Sequence, residues 1–146
     1  MTEWRFTVPG VPVPWQRGTP VNRGAYSSIV QNAGTRARET AVALCARPFL
    51  PRERLTGPLE VEILAVYPRL ARMPKRAPAG LIVGAIGRDD CDNLAKAVLD
   101  GLAAHFNDCH VSRLLVSKAY VEIGGAPRTE VVVRRMTTVR AVEAPR

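Results

Sequence analysis

Asp89-Asp90-Cys91-Asp92-Asn93-Leu94-Ala95-Lys96-Ala97-Val98-Leu99-Asp100, followed closely by Asn107-Asp108, contains every aspartate of this 146-residue chain. Residues 89–108 carry five acids and a single base, Lys96, a net charge of −4. The rest of the chain sets 20 Lys and Arg against 8 Glu, a net of +12, which restores the overall +8. Like charges crowded together repel one another, so solubility does not account for the cluster. A divalent cation seated among the carboxylates does, and a basic remainder suits a polyanion. The charge pattern therefore points to a metal-dependent enzyme acting on nucleic acid. The same stretch opens a helix at Asp92 or Asn93 that is predicted to run to about His105. Leu94, Val98 and Leu102 recur every four residues as its buried stripe.

Working outward, Leu115 to Ile123 alternates as a strand, with Leu115, Ala119, Val121 and Ile123 inward and Lys118, Tyr120 and Glu122 outward. Gly124-Gly125-Ala126-Pro127 turns the chain, and Thr129–Met136 is expected to return as the second strand of a hairpin. Upstream, Leu59–Tyr67 is a strand with Leu59, Val61, Ile63 and Ala65 on one face and Glu60 and Glu62 on the other. Asn32 or Thr35 caps a helix to about Ala46, stopped by Pro48, whose small apolar residues suit close packing on a sheet. Trp4–Val8 is a short first strand and Ala25–Val30 a second candidate. Between them lies a proline-punctuated loop holding Trp15 and Arg17, with Arg23 just beyond it. Its alternatives are an active-site or DNA-contacting loop and a plain connector with Trp15 in the core. Residues 69–87 read as a flexible basic loop, with Arg69, Arg72, Lys75 and Arg76, against the alternative of a surface insertion. Residues 137–146 read as a frayed basic tail.

The length is that of a single domain spanning 1–146. A pI near 10.3 calls for an acidic partner, and no amphipathic basic helix or lipidation signal directs it to a membrane. Nothing resembles a signal peptide or an apolar run of about 20 residues. Cys45, Cys91 and Cys109 form no disulfide framework, which fits a reducing, cytoplasmic location.

Asp90 and Asp92 are two residues apart, so in extended chain both carboxylates face one way, toward one cation. The amide dipole at the helix start favours charge on Asp92. Asp108 follows the helix, where the chain can fold back toward it. Three carboxylates without a suitably spaced histidine suit a hard ion, Mg2+ or Mn2+. Such an ion can generate an attacking hydroxide and stabilise a leaving oxygen. Lys96, one turn beyond Asp92, can neutralise charge building on a scissile phosphate or position the water. The plainer readings are helix capping for Asp92-Asn93 and a solvated ion pair for Lys96 and Asp100. A zinc site from Cys91, His105, Cys109 and His110 matches no usual spacing. Cys91 reads as a small apolar filler, and the two histidines as ordinary surface or helix-end residues.

At these residues the chain resembles the RusA family of Holliday-junction resolvases, common in bacteriophages and prophages. The resemblance rests on Asp90-Cys91-Asp92-Asn93-Leu94-Ala95-Lys96, Asp100-Gly101-Leu102 and Asn107-Asp108-Cys109-His110-Val111. The opening Val8-Pro9-Gly10-Val11-Pro12-Val13-Pro14 is similar to the family's amino-terminal segment, and Lys118 falls where many members have a lysine. In all it spans about residues 4–136. It implies a small α+β homodimer, a mixed sheet with two main helices packed on it, that binds four-way junctions and cuts two opposed strands with Mg2+. By position, Asp90, Asp92 and Asp108 would hold the metal, Lys96 would be the catalytic lysine and Asp100 a helper. Arg17, Arg23, Arg72, Lys75, Arg76 and Lys118 would contact phosphates. Two departures stand out: Asn107 where many members have a first Asp, and Asp89 where the family often has Pro. The competing expectations are a non-catalytic basic nucleic-acid-binding protein, or a related nuclease acting on other branched DNA.

Overall fold

The computed structural model describes residues 2–73 and 89–137. Lys75 and Arg76, most of the 69–87 loop, and the tail beyond Thr137 lie outside the described residues. In chain order the elements are β1 (Glu3–Pro9), β2 (Thr19–Asn22), β3 (Ser27–Val30), α1 (Ala33–Ala46), β4 (Leu59–Tyr67), α2 (Cys91–Gly101), β5 (Val111–Tyr120) and β6 (Arg128–Arg135). A single 3-10 turn, Asp108–His110, leads into β5. The fold is α+β, as expected: one mixed four-stranded sheet in the order β1-β6-β4-β5, two helices, and a separate two-stranded ribbon, β2-β3.

The alternation of β4 orders the layers. Leu59, Val61 and Ile63 face the helices and are almost fully buried with Phe6, Val8, Val131 and Val133. Val42 and Ala46 of α1 and Ala95, Val98 and Leu102 of α2 close this core from above. The helices meet at Gly101, where a Cβ would sit 2.7 Å from the Val42 side chain and 3.0 Å from the Glu39 carbonyl. Only a residue without a side chain lets α1 approach so closely. Asn32 caps α1, its Oδ1 accepting from the Gly34 and Thr35 amides at 2.8 and 3.4 Å. On the sheet's other face Arg134 joins Glu3, Glu60 and Glu62 across three strands, and Arg113 adds a 3.2 Å pair to Glu60.

Several expectations need correction. β5 and β6 are not hairpin partners: β5 runs parallel to β4, while β6 lies antiparallel between β4 and β1. The 121–127 turn therefore carries the chain past the end of β4 rather than straight back. The faces of β5 are only partly as expected: Ala119 and Val121 are buried, but Val116, Lys118 and Tyr120 pair with Ile63, Ala65 and Tyr67 on the helix side. Leu115 and Ile123 are exposed. A one-residue slip exchanges the faces of a whole strand, and β5 is an edge strand with weak burial to set its phase. Helix α2 ends at Gly101, not His105, because the chain tightens beyond it: the Ala103 and His105 amides bond three residues back, to Asp100 and Leu102. The β2 strand was hidden among prolines and glycines.

Candidate active site at the start of helix α2

Asp90 stands at the N-cap position of α2 with extended backbone, yet its carboxylate makes no capping hydrogen bond. An aspartate at this position ordinarily accepts from the second or third helical amide. Asp92, in the first turn, is exposed, and neither side chain has a hydrogen bond or ion pair among the described residues. Two carboxylates thus stand free beside the positive end of the helix dipole. Helix capping, the plainer reading for Asp92-Asn93, falls by position to Asp90 instead, and its side chain makes no capping bond.

What holds them there is Asp89. Its Oδ2 accepts a 2.9 Å hydrogen bond from the Tyr67 hydroxyl, and its carbonyl accepts one of 3.1 Å from Lys118 Nζ. Tyr67 and Lys118 stand at the ends of β4 and β5, so the acidic segment is tied to two neighbouring strands. Burial, followed by the bond to Asp89, raises the Tyr67 phenol well above its ordinary range. The hydroxyl stays protonated and acts as a donor. Arg38, buried on α1, donates to Thr129 Oγ1, and burial lowers its pKa.

The proline-punctuated loop lies over the same helix end. The Trp15 amide donates to the Asn93 carbonyl at 2.9 Å, and the Gln16 amide to Thr35 Oγ1 at 3.0 Å. Trp15 is half-buried and its ring lies beneath Lys96, with Nζ 5.0 Å from the centroid. Lys96 also pairs with Asp100 at 3.1 Å, so the expected ion pair is present. Trp15, Gln16, Arg17, Asp89 and Asn93 line one hollow. Arg17, Arg23 and Arg72 are exposed, with Arg23 Nε donating to Ser28 Oγ.

Asp108 is elsewhere. It begins the 3-10 turn just before Val111, which pairs with Leu59 at the opposite end of β4 from Tyr67. It shares a small hollow with Asp100, Leu99, Ala103 and Arg54. An 11-residue helix spans about 16 Å, and the two acidic groups occupy its opposite ends. Among the described residues no three His, Cys, Asp or Glu side chains group closely enough to hold a metal ion. One chain therefore does not assemble Asp90, Asp92 and Asp108 into a single centre, and the zinc alternative has no cluster either. Cys91 is exposed, not a core filler. His105 is half-buried, its Nδ1 3.3 Å from the Pro51 carbonyl.

A family model described as the endodeoxyribonuclease RusA matches residues 9–134. The chain belongs to the RusA family of endodeoxyribonucleases. That match runs from the last residue of β1 to the penultimate residue of β6 and takes in both acidic groups. A search of curated proteins returns no match. No helix among the described residues is long and apolar enough to cross a membrane.

Two parts of this candidate site escaped sequence reasoning. Tyr67 read as the last residue of a buried strand, and Asp89 as an extra charge. The available signal was their place at the two ends of the 68–88 connection, where strand and helix must be rejoined.

Proposed function

We propose that this chain is a Mg2+-dependent, structure-selective endonuclease that resolves Holliday junctions by paired nicks in DNA recombination and repair. The observation that carries the reading is the pair of unpaired carboxylates, Asp90 and Asp92, in a protein that is otherwise strongly basic. Membership of an endodeoxyribonuclease family supports the same reaction class. Both carboxylates offer the hard oxygen donors that Mg2+, or Mn2+ in its place, prefers. When bound, such an ion supplies a Lewis acid and lowers the pKa of a coordinated water.

The third carboxylate of the site, Asp108, is supplied by a second copy of the chain. Asp108 lies at the wrong end of its own helix, which favours a homodimer in which Asp108 of a second copy approaches Asp90 and Asp92. Two-fold symmetry would then supply two sites for two opposed strands of a four-way junction. Lys96, held between Trp15 and Asp100, is placed to neutralise charge on the phosphate, with Asp100 as its positioning partner. Arg17, Arg23 and Arg72, with Lys75 and Arg76, grip flanking phosphates and make binding salt-sensitive. Lys118 serves the site by holding Asp89 rather than by reaching DNA. The enzyme works in the cytoplasm of a bacterial host, phage-encoded or not.

The test is cleavage of a labelled four-way junction against linear duplex, with Mg2+ and with EDTA, beside Asp92→Asn. Paired, Mg2+-dependent nicks on the junction, absent in the variant, are expected. Binding without cutting under every metal would turn the reading to a non-catalytic nucleic-acid-binding protein. Equal cutting of flaps or forks would broaden the substrate to branched DNA.

A further inference from the structure

The ribbon β2–β3 pairs with no strand of the main sheet. Every residue from Thr19 to Val30 except Val21 and Ser28 is exposed, and the exposed set includes Tyr26 (63%) and Ile29 (75%). Two antiparallel strands alone are marginally stable in water, and a largely exposed tyrosine and isoleucine add apolar surface to them. The register aligns Pro20 with Ile29 on one face, and the Arg23 amide closes the turn on the Tyr26 carbonyl at 2.9 Å. Arg23 and Tyr26 therefore stand together at the tip, about 13 Å along a four-residue strand from the roots.

Both roots of the ribbon sit beside the acidic helix end. Thr19 follows the loop that Trp15 fastens to Asn93, and Val30 leads to Asn32, the cap of α1. The charge carried by the ribbon and its flanks in sequence is of one sign. From Phe6 to Arg38 there is no acid, while Arg17, Arg23 and Arg36 are exposed. A second copy of this ribbon would bring arginines against arginines, which disfavours self-association. A polyanion with exposed flat apolar faces matches both the charge and the aromatic tip. Duplex DNA hides its base faces in the stack, whereas a branch point, where arms part, uncovers them.

We propose that the β2–β3 ribbon is the part of the protein that recognises a DNA branch point. Tyr26, at the tip, stacks on a base uncovered at the branch, Ile29 adds an apolar contact nearer the root, and Arg17 and Arg23 hold the flanking phosphates. The inference deepens the nuclease reading and rests on it. It makes branch selection a property of an arm separate from the carboxylates.

The experiment uses the full chain in EDTA, so that binding is read apart from cleavage. The probes are a synthetic four-way junction with 2-aminopurine at the branch and a linear duplex of the same length. Wild type should prefer the junction and change the 2-aminopurine fluorescence. Tyr26→Ala combined with Ile29→Ser should weaken junction binding by about tenfold or more, abolish the fluorescence change and leave duplex binding unaltered. Tyr26→Phe should retain both signals, because stacking needs the ring and not the hydroxyl. Both positions are exposed, and matched thermal unfolding checks that the variants fold. Unaltered junction binding in the double variant, with wild type still selective, overturns the ribbon assignment alone. Conversion of a dimer to a monomer on sedimentation, with DNA binding retained, assigns the ribbon to a protein contact instead. A wild type that binds junction and duplex alike removes the substrate reading, and the ribbon proposal with it.

Discussion

The Tyr67 hydroxyl donates a 2.9 Å hydrogen bond to Asp89 Oδ2, tying the last residue of β4 to the residue before the free carboxylate of Asp90. Tyr67 is only 1% exposed, so its hydroxyl has no ready replacement partner in water. Lys118 fixes the carbonyl of the same aspartate from β5. Asp89 is thus fixed both through its side chain and through its backbone carbonyl.

Tyr67→Phe should lower stability by about 1 kcal/mol, the net worth of one hydrogen bond. Amide exchange at 90–93 should quicken more than in the rest of α2, and cleavage should fall more than junction binding. Urea unfolding and hydrogen exchange read the first two effects. Exchange identical to wild type would show that Asp89 is held by Lys118 alone.

Asp92→Asn and Asp108→Asn should each be inactive as pure proteins. Mixed and allowed to exchange subunits, they should regain nicking of one strand, since one of the two composite sites in a heterodimer is intact. A site complete within one chain gives no such recovery. The readout is the ratio of single to paired nicks on a labelled junction.

Lys96→Ala should slow cleavage by about a hundredfold or more while junction affinity changes by about threefold or less, as for loss of a group that stabilises developing charge. Lys96→Arg should recover part of the rate, because the charge remains above Trp15. Single-turnover kinetics separate the two quantities. An equal loss of affinity and rate would reassign the lysine to binding.

Gly101→Ala should destabilise the protein by about 1–3 kcal/mol, because its Cβ meets a β-branched neighbour and a backbone carbonyl that cannot swing aside. Pairing it with Val42→Ala relieves the side-chain half of the clash. The double variant should then be less destabilised than the sum of the two single changes. Urea midpoints of the four proteins decide this.

Glu3 is held below the ordinary carboxyl range by Arg5 and then Arg134, and Glu122 by its own backbone amide and then Arg128. A depressed folded-state value adds stability above the unfolded carboxyl pKa, and that stability disappears as pH falls through the folded value. Arg134→Met should therefore lower the urea midpoint at pH 7, and the gap to wild type should narrow below about pH 4. A gap constant from pH 7 to pH 3 would mean that packing of the arginine stem, not its charge, stabilises the sheet.

Much of the fold was legible because burial wrote it into the spacing. β4 reads correctly from its alternation, since both its neighbours and the helices bury one face of it. The stripe Leu94, Val98 and Leu102 marks α2 for the same reason. The errors fall where burial is weak. β5 is an edge strand whose phase was legible only in part, and β2 lies in a ribbon with almost no buried side chain.

By itself the sequence determined the chemistry on offer: five aspartates confined to one window, a lysine one turn past Asp92, and a basic surround. Residue type and local spacing suffice for that, because charge and helical period need no partner strand. The tertiary structure alone decided which of those groups meet. A parallel β4–β5 pair joined by α2 sends Asp108 to one end of the helix and leaves Asp90 and Asp92 at the other. Sequence left open where the chain goes after the helix, and a parallel connection returns it to the starting end of β4, which keeps Asp108 away from Asp90 and Asp92.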